Sequence, residues 1–263
     1  HFRRSAMKPG LKTALVTGAG RGIGRSIARL LAEDGMQLLV TSRTQSELES
    51  LANEIRTCGG LAETMVCDFS RRSDVANLVA KLAPWDVDIL VNNAGLGSSQ
   101  NPRPLTDFDD DFWDTTMEVN VTAPYLLTKA LLPGMIERGF GRIINVSSIN
   151  AKVPALHGVA YTASKHAIAG LTKATANEIA GSGVTANAIC PGVTATAMND
   201  LRVQYDADRL QSAFEDVEKK STPYGRRLVP DEIAPLAKFL ASEGSEGING
   251  QLINVCGGTV MAC

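Results

Sequence analysis

The chain has 263 residues, 44% of them hydrophobic, with 26 basic and 28 acidic side chains and a formal net charge of −2. That length can bury one large core, and the balanced charge excludes the broad basic face of a dedicated nucleic-acid binder. No apolar window is long enough to span a bilayer, so a soluble protein with no membrane partner is expected.

Cys58, Cys67, Cys190, Cys256 and Cys263 are odd in number and scattered, no CxxC pair occurs, and only three histidines are present. This argues against a structural zinc site or a disulfide framework and for a reducing, cytoplasmic setting, with no metal expected. Met7 reads as the native start, with "HFRRSA" (1–6) an appended or disordered stretch and 7–263 one domain.

In chain order, short apolar runs alternate with segments of helical period. "TALVT" (13–17) precedes "GIGRSIARLLAEDG", where Ile23, Ile27, Leu30 and Leu31 fall at helical spacing and Gly35 ends the helix. "QLLVTS" (37–42) leads into a helix through Leu48, Leu51 and Ile55. "AETMVCD" (62–68) leads into one through Val75, Leu78, Val79 and Leu82. Then come "VDILVNNAG" (87–95), a long helical region from about 107 to 138, and "GRIINVSS" (141–148). A helix over about 158–180 follows, then "GVTANAICPG" (183–192), a polar and mobile stretch to about 222, a helix at 230–241 and "QLINV" (251–255). Strands repeatedly followed by helices predict an α/β fold: a doubly wound, Rossmann-like parallel sheet with helices on both faces. No linker, repeat or low-complexity tract divides it.

"VTGAGRGIGRSIA" joins the first strand to the first helix. Gly18, Gly20, Gly22 and Gly24 permit a tight turn and close backbone approach, and the free N–H groups of the helix then face an anion such as a pyrophosphate. A glycine-rich turn alone is a weak signal; the strand before and helix after strengthen it. In a dinucleotide fold the end of the second strand meets the adenosine ribose, where an acid would bind the 2′-hydroxyl. Here it reads "TSRT", with Ser42 and Arg43 and no carboxylate before Glu47. Arg43, helped by Arg21, can pair with a 2′-phosphate, so NADP(H) is favoured and NAD(H) is the alternative.

Taken together the motifs resemble the short-chain dehydrogenase/reductase family, of the compact single-domain kind. They are "TGAGRGIG" (17–24), Asp68, "NNAG" (92–95), Asn120, Ser148, "YTASK" (161–165), "PGVTAT" (191–196) and a terminal "GGT", in family order from residue 13 to 259. One departure is Cys256, where many relatives carry an acid. The resemblance implies a catalytic tetrad of Asn120, Ser148, Tyr161 and Lys165. Tyr161 would be general acid in reduction and base in oxidation; Lys165 would lower its pKa and hold the nicotinamide ribose. Ser148, rather than its neighbour Ser147, would hold the substrate oxygen. It also implies cofactor contacts from the Gly18–Gly24 turn with Ile23, from Asp68 to the adenine, and from Asn92, Ala94 and Gly95 along the ribose. Pro191, Gly192, Val193 and Thr196 would lie near the carboxamide, with 194–222 in the place of a substrate lid, its loosely periodic sequence fitting a static surface helix pair equally well, and assembly as a homotetramer or dimer.

Elementary chemistry agrees with the phenol's role. Tyr161 and Lys165 are four apart and share a helical face. A free phenol has a pKa of about 10, and a neighbouring ammonium and a cationic nicotinamide both favour the phenolate and would lower it. Pro124, four residues beyond Asn120, lacks the N–H that would occupy the residue-120 carbonyl, leaving it free for a water or marking a helix kink. Asp68 or Ser70 could instead cap the third helix. "DFDDDFWD" (107–114) supplies acids to a helix N-terminus rather than to a metal, with Phe112 and Trp113 packing beneath. His157 stands in the loop between Ser148 and Tyr161, a candidate for the substrate pocket outside the catalytic set.

The expected activity is interconversion of a small-molecule carbonyl and alcohol by hydride transfer. The alternatives are an NAD(H)-dependent alcohol or polyol dehydrogenase of the same fold, or a dinucleotide-sensing protein without catalysis. Loops 96–106, 149–160 and 194–222 would select the substrate from ketoacyl thioesters, sugars or polyols, steroids and small ketones.

Overall fold

The computed structural model describes residues 10–261; the expectation for residues 1–6 and the start at Met7 lie outside them. Seven strands form one parallel sheet in the order β3-β2-β1-β4-β5-β6-β7. They are β1 (Thr13–Thr17), β2 (Gln37–Ser42), β3 (Leu61–Val66), β4 (Val87–Asn92), β5 (Gly141–Val146), β6 (Val184–Pro191) and β7 (Leu252–Val255). Chain direction across the sheet reverses between β1 and β4, which opens a crevice at the strands' C-terminal ends.

Burial on both faces explains why the strands read as continuous apolar runs. Side chains alternate along β1: Ala14 and Val16 face one core, Leu15 the other. The first core is closed by α1 (Gly22–Glu33), α2 (Gln45–Thr57) and α9 (Pro230–Ala241), with Ile27, Leu48 and Ile233 fully buried. The second is closed by α3 (Arg72–Leu82), α5 (Ala123–Glu137) and α6 (Val159–Glu178), with Leu78, Leu127 and Ala176 buried. Gly35, at φ +83°, ends α1 as expected, its N–H bonding to Ala32 O.

Two regions gain detail. The long helical region expected over about 107–138 is α4 (Asp110–Met117), a π turn (Glu118–Thr122) and α5, interrupted near Pro124. Within the π turn, Ala123 N–H reaches Glu118 O, the wider bonding expected where Pro124 interrupts the α-helical ladder. Asp109 caps α4, accepting from Phe112 N–H at 3.1 Å. The polar stretch 194–222 is not irregular. It holds α7 (Ala197–Leu210) and α8 (Phe214–Lys219), because Thr196 caps α7 and Val203 and Ala207, four apart, bury one face.

Candidate active site

A cleft of about 910 Å³ runs along the C-terminal ends of the strands. At one end the β1–α1 turn supplies Gly18, Gly20, Arg21, Gly22 and Ile23. Gly18 takes φ +62°, and a Cβ there would lie 2.9 Å from Ala94 Cα, so only glycine fits. Arg21 occupies the N-cap of α1 without a side-chain cap, and the first turn carries no acid. The helix therefore keeps N–H donors free for an anion, and this bare, side-chain-free cradle suits a pyrophosphate.

Thr17 locks that turn to the end of β4. Its hydroxyl donates to Val91 O at 3.3 Å and accepts from the N–H groups of Asn93 and Ala94, each at 2.9 Å. Asn93 Nδ2 returns to Thr17 O and Gly18 O at 2.9 and 3.1 Å. The two turns are thereby one rigid piece.

Ser42, Arg43 and Asp68 line the wall where β2 and β3 end. Asp68 accepts from Ser70 N–H at 3.0 Å and from its hydroxyl at 2.8 Å. Burial pushes its carboxyl up, but Ser70, Arg43 and Arg71 outweigh this and hold it below the usual range. Neither Asp68 nor Ser70 caps α3: Arg71 stands in the cap position without a side-chain bond.

Ser148, Tyr161 and Lys165 line the centre of the cleft. Tyr161 and Lys165 project from α6, one turn apart; Ser148 ends the extended segment after β5. Ser148 Oγ accepts from Asn150 N–H at 3.0 Å, whereas Ser147 Oγ turns to Lys165 O at 3.4 Å. The Lys165 ammonium donates to Val146 O at 3.0 Å. Burial lowers it from 10.5 to about 8. The expected lowering of the phenol is not what this environment does: burial raises Tyr161 above its ordinary value, and the Ser148 hydroxyl pulls the other way without prevailing. Desolvation dominates, and Cys190 adds to it in the same direction.

Pro191, Gly192, Val193 and Thr196 complete the wall after β6, with Ala94 and Gly95 opposite. Three expected positions do not reach it. Asn92 is buried beneath, its Nδ2 donating to Asn145 Oδ1 at 2.9 Å, and its neighbour Asn93 takes the wall instead. Alternation along β4 turns successive side chains to opposite faces, so a shift of one residue inverts the contact. Gly24 sits inside α1, where a Cβ would collide with Gly18 O and the Asn93 amide; it permits packing rather than contact. The Asn120 side chain lies below the surface. Its Oδ1 accepts from Leu96 N–H at 2.8 Å, and its Nδ2 donates to Leu96 O and Ser164 Oγ, each at 3.0 Å. His157 is also off the wall, its Nδ1 2.6 Å from the Tyr205 hydroxyl of α7. Residues on the wall that sequence reasoning did not place there include Phe69, Val119, Val146 and Glu47, whereas Asn93 lies within the expected 92–95 run. Glu47 was visible only as the first acid after β2.

Comparison with known proteins matches this architecture. Residues 12–206 fit the short chain dehydrogenase family model. The chain is 39% identical over 248 residues to the 2-dehydro-3-deoxy-D-gluconate 5-dehydrogenase of Bacillus subtilis, covering 94% of each. An actinorhodin polyketide ketoreductase variant solved with NADPH superposes with a TM-score of 0.88 at 35% identity, over 94% of this chain and 97% of that one. A gluconate 5-dehydrogenase from Burkholderia cenocepacia, in complex with NADP and tartrate, gives 0.85 at 35% identity and 96% coverage of both. The chain belongs to the short-chain dehydrogenase family: it is an oxidoreductase acting on the CH–OH/C=O couple.

Proposed function

We propose that the protein interconverts a small-molecule carbonyl and its alcohol with NADP(H) as the preferred dinucleotide, Tyr161 handling the proton. The observation that carries this is one continuous cleft with the anion-ready α1 turn, Arg21 and Arg43 at one end and Ser148, Tyr161 and Lys165 further along. Solved relatives holding NADPH and NADP support the cofactor preference. The nicotinamide supplies or accepts the hydride.

This chain's residues would then bind, orient and move the proton. The free N–H groups of α1 hold the pyrophosphate and Arg43 pairs with a 2′-phosphate. Ser148 accepts from Asn150 N–H at 3.0 Å and donates to Asn150 Oδ1 at 3.3 Å, a long bond that its hydroxyl would exchange for one to the substrate oxygen. A phenol raised by burial is protonated at neutral pH, so Tyr161 stands ready to deliver a proton to a forming alkoxide. Lys165 is the nearest cation to replenish it, and a water on the Asn120 carbonyl would continue the relay.

We further propose a homo-oligomer, dimer or tetramer: Tyr125 and Ile136 on α5 and Phe239 on α9 are exposed apolar groups. No helix among the described residues is long and apolar enough to cross a membrane. The four cysteines among the described residues are free thiols, which supports a cytoplasmic setting.

The test is a carbonyl and alcohol panel assayed with NADPH and NADH, run beside Tyr161→Phe. Turnover should fall by about 10²–10⁴-fold in the variant; undiminished turnover refutes the assignment.

A further inference from the structure

Glu47 lies in the first turn of α2 and lines the cleft beside Ser42 and Gly20. A Cβ built on Gly20 would meet Glu47 Oε2 at 2.5 Å and Ser42 Oγ at 3.2 Å, so carboxylate, hydroxyl and glycine backbone form one patch. The side chain is half-buried. Its carboxylate takes no hydrogen bond or ion pair from any described residue; only its backbone carbonyl is used, by Arg25 at 3.5 Å. Asp68, the other acid on this wall, is already engaged by both donors of Ser70.

This end of the cleft therefore carries two arginines, Arg21 and Arg43, and one uncommitted carboxylate. A half-buried carboxylate without a partner is costly in the free protein and is relieved by a ligand that brings hydroxyl donors. In a dinucleotide site the second strand's end meets the adenosine ribose, where an acid accepts from the 2′-hydroxyl. β2 ends in Ser42 and offers no acid, but α2 returns one to the same patch.

We propose that Glu47 is a specificity-determining residue of the dinucleotide site. It accepts from the ribose hydroxyls of NAD(H) and opposes the 2′-phosphate that Arg43 attracts, so the site admits both cofactors. This inference rests on the dinucleotide reading above. NADP(H) stays preferred because two arginines line this end of the cleft against one uncommitted carboxylate, but the margin is narrow.

The test is calorimetric binding of NADP+, NAD+, adenosine 2′,5′-bisphosphate and AMP to the wild type and Glu47→Gln, with Glu47→Ala as a second variant. Removing the charge should tighten NADP+ and the bisphosphate and weaken NAD+ and AMP, each by roughly three- to tenfold, the scale of one charge contact or hydrogen bond. Equal shifts for the two classes, or none in either variant, overturn the role of Glu47 while leaving the dinucleotide site standing. If the wild type binds none of the four probes, the dinucleotide reading falls and the inference falls with it.

Discussion

Lys165 Nζ donates to Val146 O at 3.0 Å and stands 5.5 Å from the centre of the Tyr161 ring. The ammonium is buried, and burial holds it near 8 against an ordinary 10.5. Between those values the unfolded chain binds a proton that the folded chain has shed, so this group's contribution to stability rises with pH across the window. Below about pH 8 its full cost is present. Replacing Lys165 by Met removes the group and its pH dependence. Urea unfolding of both proteins from about pH 8 to about 10.5 should show the wild type gaining on the variant; parallel curves would place the lysine in water.

The phenol's environment makes the two reaction directions differ. Burial raises Tyr161, so the protonated form required for reduction prevails at neutral pH, while oxidation requires the scarce phenolate. The oxidation kcat/KM should climb by about tenfold per pH unit through the neutral and mildly alkaline range, with reduction nearly flat there. Matching steady-state profiles in both directions would remove Tyr161 as the titrating group.

Much of this site was legible before any coordinates. Strand limits followed from runs such as "TALVT" because β1 is buried on both faces and needs no alternation. Tyr161 and Lys165 share a face because helical spacing dictates it. What stayed hidden depends on side-chain direction at element ends. Whether Asn92 or Asn93 meets the cleft turns on one residue of pleat, and Glu47 reaches Gly20 only because α2 folds back over β2. The sign of the Tyr161 shift was hidden too, since spacing records which groups are near and not how much water each has lost.

Arg43 is exposed at the rim of the cleft and lies close enough to Asp68 to lower its carboxyl. Arg43→Asp replaces a partner for a 2′-phosphate with a like charge. Apparent NADPH affinity should fall by about tenfold or more, equivalent to about 1.4 kcal/mol, while NADH changes less. Equal losses in a paired titration would dissolve the 2′-phosphate argument.

Asn120 ties three elements together through three buried hydrogen bonds: the Leu96 backbone twice and Ser164 Oγ once. Ser164 Oγ in turn donates to Tyr161 O at 2.8 Å. Asn120→Ala leaves the buried Leu96 N–H and carbonyl without partners, at a cost of about 2–4 kcal/mol. Denaturant unfolding should report that loss, and kcat should fall because the turn after β4 is no longer held to α6. Asn120→Asp keeps the acceptor for Leu96 N–H and should lie between. A loss under about 0.5 kcal/mol in the alanine variant would mean that water replaces the clamp.

Side chains fasten α7 to the rest of the fold at four points. His157 Nδ1 lies 2.6 Å from Tyr205 OH, Arg202 Nη1 donates to Leu156 O at 2.9 Å, Ser99 Oγ donates to Met198 O at 2.7 Å, and Arg227 Nη1 donates to Asp200 Oδ1 at 2.6 Å. The first is held by a residue in an uncommon backbone conformation, since His157 sits at φ +54°, in the left-handed region where Asn, Asp and His are the enriched non-glycine residues. Tyr205→Phe removes that contact alone and should cost about 0.5–1.5 kcal/mol. The loss should be local, because Val203 and Ala207 still bury the opposite face of α7. Hydrogen exchange over residues 197–210 should quicken while β1 and β4 keep their protection. His157→Asn, which tolerates the same backbone, separates backbone conformation from contact. Exchange as fast as in Tyr205→Phe assigns the fastening to the imidazole, and wild-type exchange in both variants would leave Arg202, Ser99 and Arg227 as the groups that hold α7.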